Sequence, residues 1–284
     1  MPVAAITGIT GSQGGAAARH LKRAGWQIRG LTRNLSGKGA QRLAADGIEL
    51  VEGDMGDPAV LDRLLRGVDG VYAVTDFFHN GLEREVQQGK AIADAAKRAN
   101  VKHFVFPSLA LSELKTGVPY FEAKAEIERH VAALALPATI LRLSMFMEDL
   151  VETKYAPPIW WGTVRRCVGA DKKLLWIAVD DVGAVVAKVL ADPGRFKGQV
   201  IALAGDIRSL AEAREIFVRV AGKAPLAIPL PLWLCRIVIN EDLVPFWRWL
   251  GRNPIDGSTE PARAIHPDMK TLEAWLRERT AAHA

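Results

Sequence analysis

A short apolar run that breaks into a glycine-rich turn and then into small helix formers leaves a chain few folds to choose from. Val3-Ala4-Ala5-Ile6-Thr7 is such a run, Gly8-Ile9-Thr10-Gly11-Ser12-Gln13-Gly14-Gly15 follows, and Ala16-Ala17-Ala18-Arg19-His20-Leu21 reads as the first turns of a helix. Strand, glycine turn and helix in that order form a cradle for the pyrophosphate of a dinucleotide. The first glycine permits the tight turn, and the second lets the backbone approach the phosphates. The third lets the helix pack on the strand, with its N-terminal N–H groups facing the ligand. The same pattern fits a glycine-rich turn without a ligand, so the rest of the chain decides.

Downstream, helix-like and strand-like runs alternate. The first helix extends to about Ala24, where Gly25 ends it. Strands are expected over residues 27–32, 48–52, 70–74, 103–106 and 138–142. The intervening helices are placed near 41–45 and over 58–65, 82–99 and 121–134. Six strands alternating with helices predict an α/β fold with a doubly wound parallel sheet of the Rossmann type. The nearly continuous apolar strands agree, because parallel strands are buried on both faces.

Past residue 143 the alternation fails, and seven of the eight tryptophans lie from Trp160 onward. This predicts a nucleotide-binding domain over 1–150 and a smaller, irregular α/β substrate lobe over 151–284, with helices near 179–190, 209–221 and 268–278 and a strand near 199–203. Trp160, Trp161, Phe146 and Met147 are the expected pocket walls.

The two cysteines, Cys167 and Cys235, have no C-x-x-C spacing, which excludes a disulfide framework and suits the cytoplasm. The longest apolar stretch, 226–234, contains Pro229 and Pro231 and falls short of the roughly 20 residues of a membrane helix. A net charge of +5 over 284 residues is a mild excess, and no nucleic-acid-binding motif accompanies it. Attraction of an anionic cofactor is the simpler use for that charge. His20, His79, His103, His130, His266 and His283 show no metal-ligand spacing.

The second strand ends in Thr32-Arg33-Asn34, 25 residues past Gly8, with Lys38 close behind in a Gly37-Lys38-Gly39 loop. An NAD site usually has a carboxylate here for the ribose 2′-hydroxyl. A cation instead attracts a 2′-phosphate, so NADP(H) is expected over NAD(H); a solvated loop arginine is the alternative. Gly53-Asp54-Met55 closes the third strand. Asp54 there would either accept from the adenine amino group or serve as a second cap beside Asp57. Thr75-Asp76-Phe77 closes the fourth strand, beside the cofactor's ribose and nicotinamide or in plain loop packing.

Tyr120-Phe121-Glu122-Ala123-Lys124 places a phenol and an ammonium four residues apart at the start of a helix, on one face. The cation lowers the phenol's proton affinity and makes Tyr120 a usable general acid. The alternative is a surface tyrosine and a solvated lysine.

Taken together, T-G-I-T-G-S-Q-G-G, the strand-end T-R-N, V-T-D-F-F, E-V-Q-Q-G-K and Y-F-E-A-K-A-E-I-E resemble the NmrA-like group of atypical short-chain dehydrogenases/reductases over residues 3–150. The resemblance implies a Rossmann fold, NADP(H) on Gly8, Gly11, Gln13, Gly14, Arg33 and Asp54, and Lys124 near the nicotinamide ribose. It also implies that Leu109 occupies the wider superfamily's catalytic serine position. Ser108, one residue earlier, would then turn away from the pocket.

The group includes NADPH-dependent reductases and redox sensors that keep the cofactor intact. The expected function is therefore reduction of an apolar carbonyl or quinone-like compound by hydride transfer, with Tyr120 and Lys124 supplying the proton. The alternatives are a non-catalytic NADP(H) sensor acting through a protein partner, and a structural relic without cofactor. A monomer or homodimer is expected.

Overall fold

The structure is a computed structural model that describes residues 1–152, 156–238 and 241–282. β1 (Val3–Ile6) runs through the glycine turn into α1 (Ser12–Arg23). Then follow β2 (Gln27–Thr32), α2 (Lys38–Ala45), β3 (Glu49–Glu52), α3 (Pro58–Leu65), β4 (Gly70–Tyr72), α4 (Phe77–Arg98), β5 (His103–Leu109), α5 (Pro119–Ala133) and β6 (Ala138–Leu143). α3 matches its expected span residue for residue. Asp57 accepts from the Ala59 N–H at 2.9 Å and Pro58 opens the helix, a start worth about 1 kcal/mol.

Two of the boundaries that move bear on the site. β4 stops at Tyr72, so Thr75 and Asp76 lie in the segment beyond the strand, and Phe77 already belongs to α4. α4 bends at Gly81, where the backbone leaves the helical region, and the expected start at 82 was its second, straight part.

Next come β7 (Met145–Phe146), a 3-10 turn (Met147–Leu150), α6 (Pro157–Val168), β8 (Lys173–Ile177), α7 (Val179–Ala191), the single turn α8 (Pro193–Phe196) and β9 (Val200–Leu203). The chain ends in β10 (Asp206–Ser209), α9 (Leu210–Ala221), α10 (Leu232–Val238), α11 (Leu243–Arg252), α12 (Glu260–Ile265) and α13 (Leu272–Ala281). α9 opens on a capping box in which the Ser209 hydroxyl accepts from the Glu212 N–H and the Glu212 carboxylate accepts from the Ser209 N–H.

The main sheet is parallel, in the order β3-β2-β1-β4-β5-β6-β9. It has seven strands where six were expected, because β9 adds to the far side of β6. In register, Ala5 of β1 stands between Arg29 of β2 and Val71 of β4. Strand order reverses at β1/β4, and in doubly wound sheets ligands bind off the carboxyl ends of the strands at that switch point. A second sheet, β10-β8-β7, pairs β10 antiparallel and β7 parallel to β8.

The chain divides into two compact units, one of Met1–Glu113, Ala123–Arg142 and Val182–Ile201, the other of Leu114–Glu122, Leu143–Asp181 and Ala202–Ala284. In the first, Leu61, Leu64 and Leu65 of α3, Ile92 and Ala96 of α4, and Ile127 and Val131 of α5 bury themselves with sheet residues Val71, Phe104 and Phe106. Each large side chain so buried stabilises the unit by roughly 1.5–3 kcal/mol. α7 lies so close to α1 that a Cβ at Gly183 would come within 2.6 Å of the Ala16 carbonyl carbon. In the second unit Trp160 packs on Trp161, Trp176 and Trp247 with ring centroids 6.0–6.2 Å apart. Trp161 and Trp176 donate their indole N–H groups to the Leu150 and Arg208 carbonyls, which removes the cost of burying them.

Candidate functional site

At the carboxyl end of β1 the Thr7 hydroxyl donates to the Val74 carbonyl at 2.7 Å and fastens the turn to the segment after β4. Gly8 takes φ +61°, a conformation L side chains rarely adopt, and the Gly11 N–H donates back to the Gly8 carbonyl at 2.9 Å. At Gly14 a Cβ would sit 2.3 Å from the Gly8 carbonyl oxygen, so no side chain fits between α1 and the turn. Gly11, at the N-cap of α1, brings no side-chain cap to the first turn. A backbone pressed this close, at a helix start without a side-chain cap, suits a pyrophosphate. Ser12 and Gln13 open the helix, and the Gln13 amide oxygen accepts from the Tyr72 hydroxyl at 3.1 Å. Thr10 stands exposed beside the start of α2, its Cβ 3.7 Å from where a Cβ on Gly39 would lie.

β2 and β4 flank β1, and residues beyond their ends meet across it. Arg33 Nη2 lies 3.5 Å from Asp76 Oδ2. Both are partly exposed, so the ion pair is weak and exchangeable. The Asn34 side-chain oxygen accepts from the Ser36 N–H at 2.8 Å and shapes the loop. Lys38 is exposed and is the first residue of α2, where the sequence suggested a loop. Asp54 uses one carboxylate oxygen to accept from the Gly56 N–H at 2.7 Å and the other to pair with Arg84 at 3.1 Å. That is turn-capping geometry. Met55 beside it is buried.

Lys124 is buried at 8% exposure and held by groups from two other segments. Its Nζ lies 2.8 Å from Glu85 Oε1 and donates to Thr75 Oγ1 at 3.0 Å, while the Thr75 hydroxyl donates to the same Glu85 oxygen at 2.7 Å. The Phe106 ring lies 5.2 Å from the ammonium. Glu85 is 1% exposed, and its second oxygen, Oε2, finds no donor among the described residues. α4 and α5 come this near because Gly89, one turn after Glu85, accepts Ile127 where a Cβ would lie 2.6 Å from the isoleucine Cδ1.

The sequence offers Glu85 only as the first residue of E-V-Q-Q-G-K, with no role of its own, one charge among Glu83, Arg84 and Glu85 on a helix with many. Its signal was its place on the apolar stripe of Leu82, Val86, Gly89, Ile92 and Ala96.

α5 carries Tyr120 and Lys124 at the expected helical spacing. In the second unit the Tyr120 ring stands edge-on to Phe246 with centroids 5.4 Å apart. Phe77 is buried at the start of α4. Ser108 donates to Glu128 Oε1 at 2.5 Å, and Arg142 pairs with the same carboxylate at 2.7 Å, so this serine belongs to a buried polar network in the first unit.

The expected pocket walls are corrected in part. Trp160, Trp161 and Met147 are buried in the second unit's core, where the two indoles also pack on each other with centroids 6.0 Å apart. His103 is buried against the Thr139 hydroxyl at 2.8 Å, and burial pushes its ring down to about 4. His283 and the side chain of His79 lie outside the described residues. Among the described residues no cluster of three or more histidine, cysteine or carboxylate groups could hold a metal, and no helix is long and apolar enough to cross a membrane.

Comparison with known proteins places this geometry. The model of the NmrA-like family matches residues 3–276. The NmrA-like family domain-containing oxidoreductase lnaB of Aspergillus flavus is 28% identical over 253 residues, covering 80% of this chain and 76% of its own. Triphenylmethane reductase of Citrobacter sp., solved with NADP(H), superposes with a TM-score of 0.79 at 19% identity, over 98% of this chain and 99% of that one. The negative transcriptional regulator NmrA, solved with NADP, gives 0.79 at 21% identity, over 99% of this chain and 96% of the other. These two superpositions speak for the fold, and the family match runs through nearly the whole sequence. The chain belongs to the NmrA-like family.

Proposed function

We propose that the protein binds NADP(H) at the glycine turn and reduces an apolar, aromatic carbonyl or quinone-like compound. The observation that carries this reading is the turn itself, where Gly14 leaves no space for a Cβ and α1 begins on Gly11 with no side-chain cap. Arg33 and Lys38 supply cations for a 2′-phosphate, which would displace Asp76 from its weak pair with Arg33. Asp54 and Met55 line the adenine side, and Thr75, Phe77 and Lys124 the ribose and nicotinamide side. The oxidoreductase name of the Aspergillus flavus relative and the NADP(H) bound by the Citrobacter reductase support the assignment.

When bound, NADPH supplies a hydride. The Tyr120 hydroxyl supplies the proton that balances it at the substrate oxygen, and Lys124, fixed by Glu85 and Thr75, holds the ribose. The test is to mix protein, NADPH and a panel of quinones and aromatic aldehydes and follow the cofactor's absorbance. Turnover that falls at least a hundredfold in Tyr120→Phe, with NADPH affinity unchanged, is the expected result. Undiminished turnover in Tyr120→Phe would remove the residue from the chemistry.

One observation favours a second reading, a non-catalytic sensor that reports NADP(H) to a protein partner. The Lys124 ammonium is balanced by Glu85 at 2.8 Å, which leaves less field to acidify a phenol. Tight NADPH binding with no turnover across the panel would favour that reading.

A further inference from the structure

The second unit contains a cavity of about 680 Å³ that the proposed chemistry does not use. Val118 and Val244 make part of its apolar wall, Trp233 and Trp249 offer two indoles, and Arg248 and Arg252 bring two guanidinium groups. The arginines sit one turn apart at the C-terminal end of α11, both exposed, and among the described residues neither has a carboxylate partner. Two like charges at this spacing repel each other, and a shared anion reverses that cost.

The aromatic part is braced. Trp249 stands edge-on to Phe121 with centroids 5.1 Å apart, and Phe121 contacts Phe246 at 5.1 Å, so little ordering is left to pay for on binding. Trp233, by contrast, is 66% exposed and leaves an indole open to a ligand.

We infer that this cavity is a binding site for a flat, multi-ring aromatic carboxylate, with the rings on the indoles and the carboxylate on Arg248 and Arg252. The volume falls within the range of about 300–1,000 Å³ typical of small-molecule sites. Apolar walls with two adjacent cations fit an amphiphilic anion better than a neutral ring, which would leave the guanidinium pair uncompensated, or a small inorganic anion, which would waste the indoles. The lining residues all belong to the second unit, so the site is independent of a nucleotide at the glycine turn.

The experiment titrates the full chain, without nucleotide, with fluorescent anthracene-9-carboxylate and with its neutral counterpart 9-anthracenemethanol, and reads anisotropy. The carboxylate is expected to bind about ten- to a hundredfold more tightly than the alcohol, the range for one charge-assisted contact. Replacing both Arg248→Met and Arg252→Met should erase that preference and leave alcohol binding unchanged, and Trp233→Ala should weaken both ligands. Both arginines are exposed, so a melting temperature within a few degrees of the parent is expected. Arg248→Gln alone gives a second, milder measure of the same preference. Equal binding of the two probes, binding of neither, or a charge preference that survives the double replacement would overturn the proposal.

Discussion

The ammonium of Lys124 and the carboxylate of Glu85, 2.8 Å apart, form a buried ion pair that joins α5 to α4. With side-chain exposures of 10% and 1%, the pair has little water to screen it. The proposed ribose-binding lysine is thus a fixed member of a Lys–Glu–Thr cluster, and its position depends on a residue outside the Tyr-x-x-x-Lys motif.

Removing one member of such a pair strands the other. Glu85→Ala is expected to destabilise the protein by about 3–5 kcal/mol, whereas Glu85→Leu combined with Lys124→Met should recover most of that loss. Urea titrations of the parent, Glu85→Leu, Lys124→Met and the double variant give the coupling. A double variant as unstable as the sum of the singles would show that the two residues do not act as a pair.

The crowding at Gly14 makes a second measurement simple. Gly14→Ala introduces a Cβ 2.3 Å from the Gly8 carbonyl oxygen, and the turn or the helix must shift. A loss of about 1–3 kcal/mol is expected, the usual cost of overpacking, together with loss of the thermal shift that NADPH produces in the parent. A full shift retained in the variant would place the phosphates elsewhere.

Arg33 is the proposed discriminator between cofactors. Arg33→Ala should weaken NADP(H) by roughly tenfold or more and leave NAD(H) nearly untouched, since only the former carries the 2′-phosphate. Calorimetric titration of both nucleotides measures this. Equal losses for the two would assign Arg33 to the loop alone.

Glu148 gives the second unit a pH dependence. Burial pushes its carboxyl up to about 7, against hydrogen bonds from the Val179 N–H and the Trp275 indole that pull it down. Between the ordinary value of 4.5 and about 7 the folded state keeps a proton that the unfolded chain releases, so this contribution to stability falls as pH rises and levels off above 7. His103 works the other way, because its ring is depressed to about 4, and its contribution rises with pH up to 6.5. Comparing the parent with Glu148→Gln at pH 5 and pH 8 separates the two. The parent should lose on the order of 2–3 kcal/mol more than the variant over that interval. Parallel pH profiles would mean that Glu148 titrates normally.

The fold was largely readable because its signals are local. Apolar strands buried on both faces stand out from their neighbours, and Asp57-Pro58 marks the start of α3 by cap chemistry alone. What depends on distant partners was not readable. Glu85 looks solvated until Gly89 lets α5 approach, and Trp160 looks like a pocket wall until Trp161, Trp176 and Trp247 surround it. Lys38 in a glycine-flanked loop gave no hint that a helix begins on it, because Gly37 caps without a side chain. In the site, residue types and spacing pointed to Arg33, Lys124 and the turn. They carried no information on which acids Arg33 and Lys124 pair with.

The contact between Gly183 and Ala16 has a consequence for how this sequence can change over time. Bulk acquired at 183 would press on α1 and displace the N–H groups at its start, although the position is far from the turn in the chain. The same bulk costs packing between the two helices whether or not a nucleotide is bound, so glycine at 183 serves the fold first and the turn through it.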